Sequence, residues 1–410
     1  MKLLTQSFLS LAITGLLFSC SSDDEGTDME TILIEAPTTY SFERDGESTV
    51  SFSGQTTRIA MAEELVSNLT DPNVTIETLK AQFSHKEGEN NFNNANLNNS
   101  DKNIRSKVAA SFDLFGTNAT EGTAIKSTFQ DWIERQYSEV FPRWEETASA
   151  GVAGSIEEGG SNPPTRYVTA KGLELNQAFA KSLIGALMVD QAINNYLSPG
   201  ILDEADNREN NTNGVTVEGK SYTNMEHKWD EAYGYVYGAS ADKENPNTTI
   251  GEDDSFLNKY IGRVENDEDY AGIATEIYNA FKLGRAAIVA GNYEVRDEQA
   301  GILKNKISEI IAIRAIYYLQ QGKSKLESGT IDYADVFHDL SEGYGFIYSL
   351  QFTRNDMSSA ALVNGQQVEG WLNQILPGTT GFWEVTPEDL QTVSENIATI
   401  YGITISEAGS

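Results

Sequence analysis

Most of the chain after residue 56 has apolar residues at three- and four-residue steps, the spacing of amphipathic helices. The segments with this period are 57–69, 104–115, 122–141, 172–197, 270–293 and 298–321. The last two predict an antiparallel helix pair that turns near Gly291 and Asn292. A final helix is predicted after Thr386 as N-cap, with Pro387 at its first position and Gly402 at its end. The pattern therefore predicts an all-α protein.

Strand-like patterns are confined to residues 39–55, where two β-prone runs flank the Asp45-Gly46 dipeptide. Asp-Gly between such runs favours a tight turn, so we predict a small N-terminal β-hairpin. Three polar segments interrupt the helices, at residues 90–103, 151–164 and 207–220. We expect surface loops there, and we expect the first two to be disordered.

One segment occurs twice in the chain. Residues 227–237, "HKWDEAYGYVY", and residues 338–348, "HDLSEGYGFIY", share five of eleven positions without a gap. A weaker similarity lies upstream of both copies. We infer an internal duplication that gives two helical bundle halves, residues 56–245 and 246–405, related by a pseudo-twofold axis.

The duplicated segment supplies candidate metal ligands. Helical spacing places His227 and Glu231 on one stripe of the first copy, and His338 and Glu342 on the same stripe of the second. If both pairs face one cavity, they form a site for a divalent metal such as Fe²⁺, Zn²⁺ or Mn²⁺. The alternative is a buried, hydrogen-bonded His–Glu pair in each half that fixes the packing.

Other positions on the same helices have expected roles. Glycines at matched positions, Gly234 and Gly345, predict close helix contact. A ligand groove between the halves would be lined by Trp229, Asp230, Tyr233 and Tyr344. Aromatic rings there could stack on sugars, although aromatic residues at helical spacing are more often part of a core.

The chain is strongly acidic, with 29 Lys and Arg residues against 61 Asp and Glu residues and a net charge of −32. A surface of this charge repels nucleic acid phosphates, so we expect no nucleic acid partner. The same charge favours solubility and could attract cations or basic partners.

The N-terminus has the pattern of a secretory signal, with one lysine and an apolar run from Phe8 to Phe18. Leu17 to Cys20 resembles a bacterial lipobox, in which Cys20 becomes the lipidated first residue. Cys20 is the only cysteine, so a lipid there would leave no thiol for disulfides, metal ligation or nucleophilic catalysis. The alternative is an ordinary signal peptide followed by an incidental cysteine.

The acidic run after Cys20 resembles a Bacteroidetes-type signal that sends lipoproteins to the outer face of the outer membrane. We therefore expect a signal peptide at residues 1–19 and a lipidated flexible tether at residues 20–38. The expected location is the outer membrane, with the protein exposed at the cell surface and held by the lipid on Cys20.

The histidine segments resemble the imelysin-like superfamily, which includes iron-regulated outer-membrane lipoproteins and a nominal insulin-cleaving membrane peptidase. Its signature is Gly-x-His-x-x-Glu on a helix. The first copy here reads "MEHKWD" from Met225 and the second reads "VFHDLSE" from Val336, so only His227 and His338 match. Both segments look closer to a Bacteroidetes-type lipoprotein branch near that group. The resemblance implies two four-helix bundles with pseudo-twofold symmetry.

These observations support three functions. The leading expectation is a non-catalytic surface lipoprotein that binds iron, another metal or haem in nutrient uptake, together with a small ligand or an outer-membrane uptake partner. The first alternative is a metallopeptidase-like hydrolase with His227, Glu231 and His338 as ligands and Glu342 as base. The chain lacks the His-Glu-x-x-His motif of common zinc peptidases. The second alternative is a glycan- or peptide-binding uptake receptor.

Overall fold

The computed structural model describes residues 34–161, 163–356, 358 and 360–410. The predicted signal peptide, Cys20 and most of the predicted tether lie outside the described residues. One continuous hydrophobic core runs through the described domain, from Tyr40 to Ala408, and takes side chains from both predicted halves. Residues Ile34–Ser410 accordingly form a single compact unit. The boundary between the halves stays a prediction.

The all-α class is confirmed, because helices dominate the described residues. Numbered in chain order, the α-helices are α1 Ser53–Asn68, α2 Ile76–Phe83, α3 Ala95–Asn98, α4 Phe112–Phe115, α5 Ala119–Arg135, α6 Leu175–Leu183, α7 Pro199–Leu202, α8 Asn207–Thr212, α9 Asn224–Tyr237, α10 Leu257–Glu265, α11 Ile273–Val289, α12 Tyr293–Leu326, α13 Tyr333–Ser349, α14 Gly365–Ile375, α15 Pro387–Tyr401 and α16 Ile405–Ala408. Within the described ranges, no helix combines the length and apolar character that crossing a bilayer requires.

The helix predicted over residues 172–197 has three parts. After α6, the chain continues as two π-helical stretches, Ile184–Val189 and Ala192–Tyr196. Apolar side chains fill these wider turns as they would fill an α-helix, so the hydrophobic pattern does not reveal the change. A further π-helical stretch, Gln136–Val140, follows α5. Short 3₁₀ turns complete the helical structure at Phe141–Arg143, Pro246–Thr249, Leu350–Phe352 and Gly381–Trp383.

The N-terminal hairpin is also confirmed. Strands β1 (Glu43–Arg44) and β2 (Glu47–Ser48) pair antiparallel, with Arg44 opposite Glu47. The turn residues Asp45 and Gly46 have φ of 54° and 81°. Positive φ at both central positions is the conformation that makes an Asp-Gly turn compatible with the twist of a hairpin.

A second hairpin begins in the glycine-rich segment, residues 151–164, that was expected to be a disordered loop. Strands β3 (Gly154–Glu157) and β4 (Thr165–Val168) pair antiparallel, with Ser155 opposite Tyr167. The Tyr167 ring stacks on Trp144 at 3.4 Å between centroids. That expectation was wrong because the strands are anchored by an aromatic residue outside the segment.

The asparagine-rich segment is also folded, against the expectation of disorder. The Asn98 side chain accepts hydrogen bonds from the backbone N–H groups of Asn91 and Phe92 at 2.9 and 2.8 Å. It also donates to the carbonyl of Phe92 at 2.8 Å. Asparagine side chains here replace regular backbone pairing, a role that composition alone does not reveal.

Helix α12 is the longest element, and it packs against α11, α13 and α15. The predicted turn before it is confirmed, since Gly291 has φ of 69° and the Asn292 side chain caps the helix through Val295 N–H. The caps of α15 also match the prediction: Thr386 accepts from Asp389 N–H, and Gly402 has φ of 67°. These predictions are confirmed because each turn or cap depends only on residues that are close in sequence.

Candidate functional site: two clefts beside the duplicated helices

The two copies of the duplicated segment form α9 and α13. Helix α9 begins with a capping box between Thr223 and Glu226. Helix α13 follows its N-cap residue Asp332, whose carboxylate accepts from two backbone N–H groups. Helix α9 packs on α1, α11 and the π-helical stretch that ends at Tyr196, whereas α13 packs on α6 and α12. The main neighbours of the two helices therefore differ, and the π-helical stretch Ile184–Val189 contacts both.

The matched glycines allow close packing, as predicted. A Cβ atom on Gly234 would lie 2.5 Å from the Cβ of Phe52 at the start of α1. A Cβ atom on Gly345 would lie 2.4 Å from the Cβ of Lys181 on α6. Only glycine, which has no Cβ atom, permits these two contacts. The start of α1 therefore packs closely on α9, as α6 packs closely on α13.

Each motif histidine is held through Nδ1. In His227 this atom lies 2.9 Å from the carbonyl oxygen of Ser51, and in His338 it lies 2.9 Å from Oε1 of Glu174. A carbonyl oxygen only accepts, so Nδ1 of His227 carries the proton. The Nε2 atoms face Glu231 and Glu342 at 4.0 and 3.9 Å, beyond hydrogen-bond length.

The motif glutamates are each bound by the neighbouring helix. Gln55 of α1 donates to Glu231 at 3.0 Å, and Lys181 of α6 lies 3.3 Å from Glu342. Burial opposes ionisation of Glu342, but Lys181 and His338 outweigh it and lower the pKa of Glu342 to about 2. Burial also opposes protonation of His338, yet Glu174 and Glu342 raise the pKa of His338 above its usual value.

A tyrosine stacks beside each motif in the same way. The Tyr196 ring lies 6.2 Å from Tyr235, and the Tyr318 ring lies 5.7 Å from Phe346, which occupies the position equivalent to Tyr235. The contacts of the motif glycine, of the motif histidine and glutamate, and of the neighbouring tyrosine therefore each have a counterpart in the other copy. This agreement supports the predicted duplication, and the pseudo-twofold axis itself stays a prediction.

The two motifs line two different cavities. The His227 cleft, about 320 Å³, is lined by Ser51, Ser53, Gly54, Gln55, Arg58, Lys102, Lys107, Tyr196, Lys220, Tyr222, His227 and Glu231. The His338 cleft, about 560 Å³, is lined by Lys259, Tyr260, Arg263, Asn266, Asp267, Arg314, Tyr317, Tyr318, His338, Asp339, Glu342 and Ser410. No residue belongs to both sets. The structure therefore does not bring the four predicted metal ligands into one cavity.

The side chains in each cleft do not fit a resident divalent metal. The His227 cleft offers one imidazole and one carboxylate from its motif helix, and the His338 cleft offers one imidazole and two carboxylates, Asp339 and Glu342. These carboxylates are already bound by Gln55, Lys325 and Lys181. Divalent iron or zinc needs three or more protein ligands with suitable geometry. Across the described ranges, no three His, Cys, Asp or Glu side chains converge as such ligands would. Metal binding by these residues stays a prediction.

Three of the four predicted groove residues are in the core. Trp229, Asp230 and Tyr233 are fully buried. The Trp229 indole donates to the carbonyl of Phe281 at 3.0 Å, and the Tyr233 ring stacks on Tyr40 at 3.7 Å. Their assignment to a ligand groove was wrong because α1, α11 and the N-terminal segment cover that face of α9. The fourth residue, Tyr344, keeps partial exposure, and burial raises its pKa to about 12.

Asp230 belongs to a buried ionic network. Arg285 of α11 is fully buried and lies 3.0 Å from Asp230 and 3.1 Å from Glu226. Arg44 of the hairpin forms a bidentate pair with Glu226 at 2.9 Å, and Tyr40 donates to Asp230 at 2.7 Å. The network fastens the N-terminal segment to α9 and α11, which is a structural role.

The sequence analysis missed the basic residues of the His227 cleft. Arg58, Lys107 and Lys220 line it, and none lies within 4.0 Å of an Asp or Glu oxygen in the described part of the chain. Arg58 is 6% exposed and donates to the backbone carbonyls of Asn103 and Gly54. An arginine on the apolar face of α1 was the available signal, since a buried charge requires a partner.

Lys102 and Lys228 add to this charge. Lys102 lines the cleft and pairs with Asp101, and Lys228 lies 3.6 Å from Glu231. Burial lowers the pKa of Lys107, and the neighbouring Arg58, Lys228 and Lys102 lower it further. Positive charge therefore accumulates around one carboxylate, although the whole chain is acidic.

Comparison with known proteins adds a family. Neither the curated proteins nor the solved structures include a significant match to this chain. A family model described as "Domain of unknown function (DUF4856)" matches residues 37–404. These residues include the hairpin β1–β2, both motif helices, the His227 cleft and all lining residues of the His338 cleft except Ser410. The chain therefore belongs to the DUF4856 family.

Proposed function

We propose that this protein is a non-catalytic, surface-anchored lipoprotein that binds a small oxyanion in its His227 cleft as a step in nutrient uptake. The observation that carries this proposal is the set of unpaired basic residues Arg58, Lys107 and Lys220 around one cavity. An oxyanion here means a carboxylate- or phosphate-bearing small molecule.

The charge balance argues for an anionic ligand. Four cationic side chains line the cleft, Arg58, Lys102, Lys107 and Lys220, against the single carboxylate of Glu231. Like charges that share a cavity repel by roughly 2–3 kcal/mol per pair at about 6–8 Å and an effective dielectric constant of about 20. A bound anion would relieve that repulsion and would raise the pKa of Lys107.

The shape and the aromatic residues of the cleft suit a small organic molecule. Its volume of about 320 Å³ is at the lower end of the range for small-molecule sites. Tyr222 and His227 stack at 4.6 Å between ring centroids at its edge, and Tyr196 lies beneath Lys107 and Lys228. Such rings provide flat apolar surface beside the charges that would hold the anionic group.

The proposed uptake role rests on the lipobox pattern at Cys20 and on the resemblance to the imelysin-like group. Both remain proposals. In the iron version of this proposal, iron binds as an anionic chelate. The basic side chains of the cleft would contact the chelator, because the cleft has too few ligands for a bare metal ion. Ferric citrate is a suitable probe of that version.

The test is calorimetric titration of the purified full-length protein with citrate, ferric citrate and inorganic phosphate. The variant Lys107→Gln/Lys220→Gln should weaken binding by about tenfold or more, since each charged hydrogen bond contributes roughly 1.5–3 kcal/mol. Lys80→Gln/Lys86→Gln is the matched control, because it removes the same charge from the surface elsewhere. Equal affinities in the two variants would contradict the proposal. Binding of metal salts alone, without a chelator, would favour the direct metal version.

The other two functions have distinct readouts. A metallopeptidase would cleave a peptide library in the presence of Zn²⁺ and would lose that activity in His227→Ala. A glycan receptor would bind neutral oligosaccharides as well as acidic ones. The burial of Trp229 and Tyr233 removes the aromatic platform on which that receptor hypothesis relied.

A further inference from the structure

We propose that the His338 cleft is a second oxyanion site, built by Arg314, Lys259 and Arg263, that takes the carboxylate or phosphate group of a larger molecule. It shares no residue with the His227 cleft, so it stands on its own observations.

The basic residues of this cleft lack acidic partners. No Asp or Glu oxygen of the described residues lies within 4.0 Å of the charged groups of Lys259, Arg263 or Arg314. This is unusual in a chain with 61 acidic and 29 basic residues, where an acidic partner should be easy to find. The missing partners point to an anion that comes from outside the chain.

The acidic residues that line the cleft are largely neutralised. Glu342 pairs with Lys181 at 3.3 Å, and Asp339 pairs with Lys325. Asp267 alone among them has no such lysine or arginine in the described part of the chain. The cleft therefore presents more unpaired positive than negative charge among its side chains.

Arg314 is positioned to bind an oxyanion. Its side chain is held by aromatic faces, with Cζ 3.9 Å above the Tyr317 ring centroid and 4.7 Å above that of Tyr318. Arg314 is 7% exposed, and its Nε finds no hydrogen-bond partner among the described residues. A guanidinium that lies on rings keeps its edge free, and that edge matches a carboxylate or phosphate.

Two further groups support the assignment. The Tyr260 hydroxyl, also fully buried and lining the cleft, has no hydrogen-bond partner of standard geometry in the described structure. A ligand oxygen in the cleft would give this buried hydroxyl a hydrogen-bond partner. Burial lowers the pKa of Lys259, and the nearby Lys181 and Arg263 lower it further. A bound anion would stabilise the charged form of this lysine.

The two clefts differ in volume and therefore in the size of the ligand that each can hold. The His338 cleft has a volume of about 560 Å³, against about 320 Å³ for the other, and Tyr317 offers a partly exposed ring beside Arg314. We therefore assign to it a ligand whose anionic group is attached to a larger body. The duplication would then have produced two binding sites of different capacity.

The experiment counts sites in the purified full-length protein by calorimetric titration with citrate and, in a separate arm, with inorganic phosphate. Lys259 is partly exposed and Arg263 exposed, so Lys259→Gln/Arg263→Gln should leave the fold intact. We expect two sites in the wild type, and only the His227 site in this variant. The titrant, citrate or phosphate, whose affinity falls more from the wild type to this variant identifies the preferred oxyanion.

Each outcome separates this inference from the function proposed above. One site in the wild type, abolished by Lys107→Gln/Lys220→Gln and unchanged by Lys259→Gln/Arg263→Gln, would overturn the second site alone. One site in the wild type that is abolished by Lys259→Gln/Arg263→Gln and unchanged by Lys107→Gln/Lys220→Gln would support the His338 site. The same result would overturn the proposed role of the His227 cleft. Arg314→Lys gives an independent check, because it keeps the charge and removes the planar edge. An affinity at the second site unchanged by Arg314→Lys would overturn the role given to Arg314.

Discussion

Nδ1 of His338 donates a hydrogen bond of 2.9 Å to Oε1 of Glu174. The equivalent atom of His227 donates to a backbone carbonyl instead. The two copies therefore hold their histidines in the same orientation but in different electrostatic surroundings, and only His338 gains a carboxylate through Nδ1.

This difference predicts a measurable pH dependence. The folded-state pKa of His338 is raised above its unfolded value of about 6.5. The stabilisation is therefore fully present below about pH 6.5 and is lost as the pH rises through the folded-state value. Glu174→Gln should lower the pKa of His338, as followed by NMR titration of the imidazole, with His338→Asn used to assign the signal. An unchanged pKa in Glu174→Gln would show that Glu174 does not control this group.

The buried network around Arg285 predicts a large loss of stability. Arg285→Met leaves Asp230 buried without its cation, so the free energy of unfolding should fall by about 3–5 kcal/mol in chemical denaturation. Arg143→Gln is the control, because it breaks an ion pair with Glu146 between exposed side chains, worth at most about 1 kcal/mol. Similar small losses in both variants would mean that the network does not fasten the N-terminal segment.

Gly345 on α13 and Gly370 on α14 predict effects of opposite sign. Gly345→Ala should destabilise the protein by roughly 1–3 kcal/mol, because the new methyl group would meet the Cβ of Lys181 and the backbone N of Ser182. Gly370→Ala, on the exposed side of α14 with no neighbour within 4 Å, should stabilise it by up to about 1 kcal/mol. Thermal denaturation distinguishes the two, and a stabilised Gly345→Ala would refute the close contact of α6 with α13.

Metal retention is predicted to be low. After incubation with Fe, Zn or Mn salts and desalting, the full-length protein should keep far less than one equivalent of metal by elemental analysis. His227→Ala/His338→Ala should keep the same amount. A stoichiometric metal that disappears in this double variant would mean that the two pairs do form one metal site, against the separate clefts described above.

The membrane anchor is tested through Cys20. Mass spectrometry of the protein purified from its membranes should show a lipid on Cys20 and no residues 1–19. Cys20→Ser should lack the lipid and leave the membrane fraction. An unmodified thiol in the wild type would support the alternative of an ordinary signal peptide.

The sequence predicts this fold well wherever a structural signal is local. Thr386 and Gly402 mark the ends of α15 because a cap depends on residues within one turn. Asp45-Gly46 marks the hairpin for the same reason. The β3–β4 hairpin escapes prediction because Trp144, which stacks on its Tyr167, lies outside the segment.

The candidate site was predicted only in part, since clefts depend on distant segments. The repeat directs attention to α9 and α13, each of which lines a cleft of its own, whereas the prediction placed both beside a single cavity. Helical spacing does not reveal that Trp229 and Tyr233 face a core and not a groove. Nor does it reveal that Arg58 and Lys107 meet at one cavity, because they come from α1 and from a connection more than forty residues later.

The most direct test of the central claim is a crystal structure of the full-length protein soaked with selenate, with data collected at the selenium absorption edge. Selenate is an oxyanion whose anomalous signal locates it without ambiguity. The account predicts a selenium peak in the His227 cleft, within hydrogen-bond distance of Lys107 or Lys220, that is absent in Lys107→Gln/Lys220→Gln. A cleft without selenium in the wild type, or a peak that persists in the variant, would contradict it.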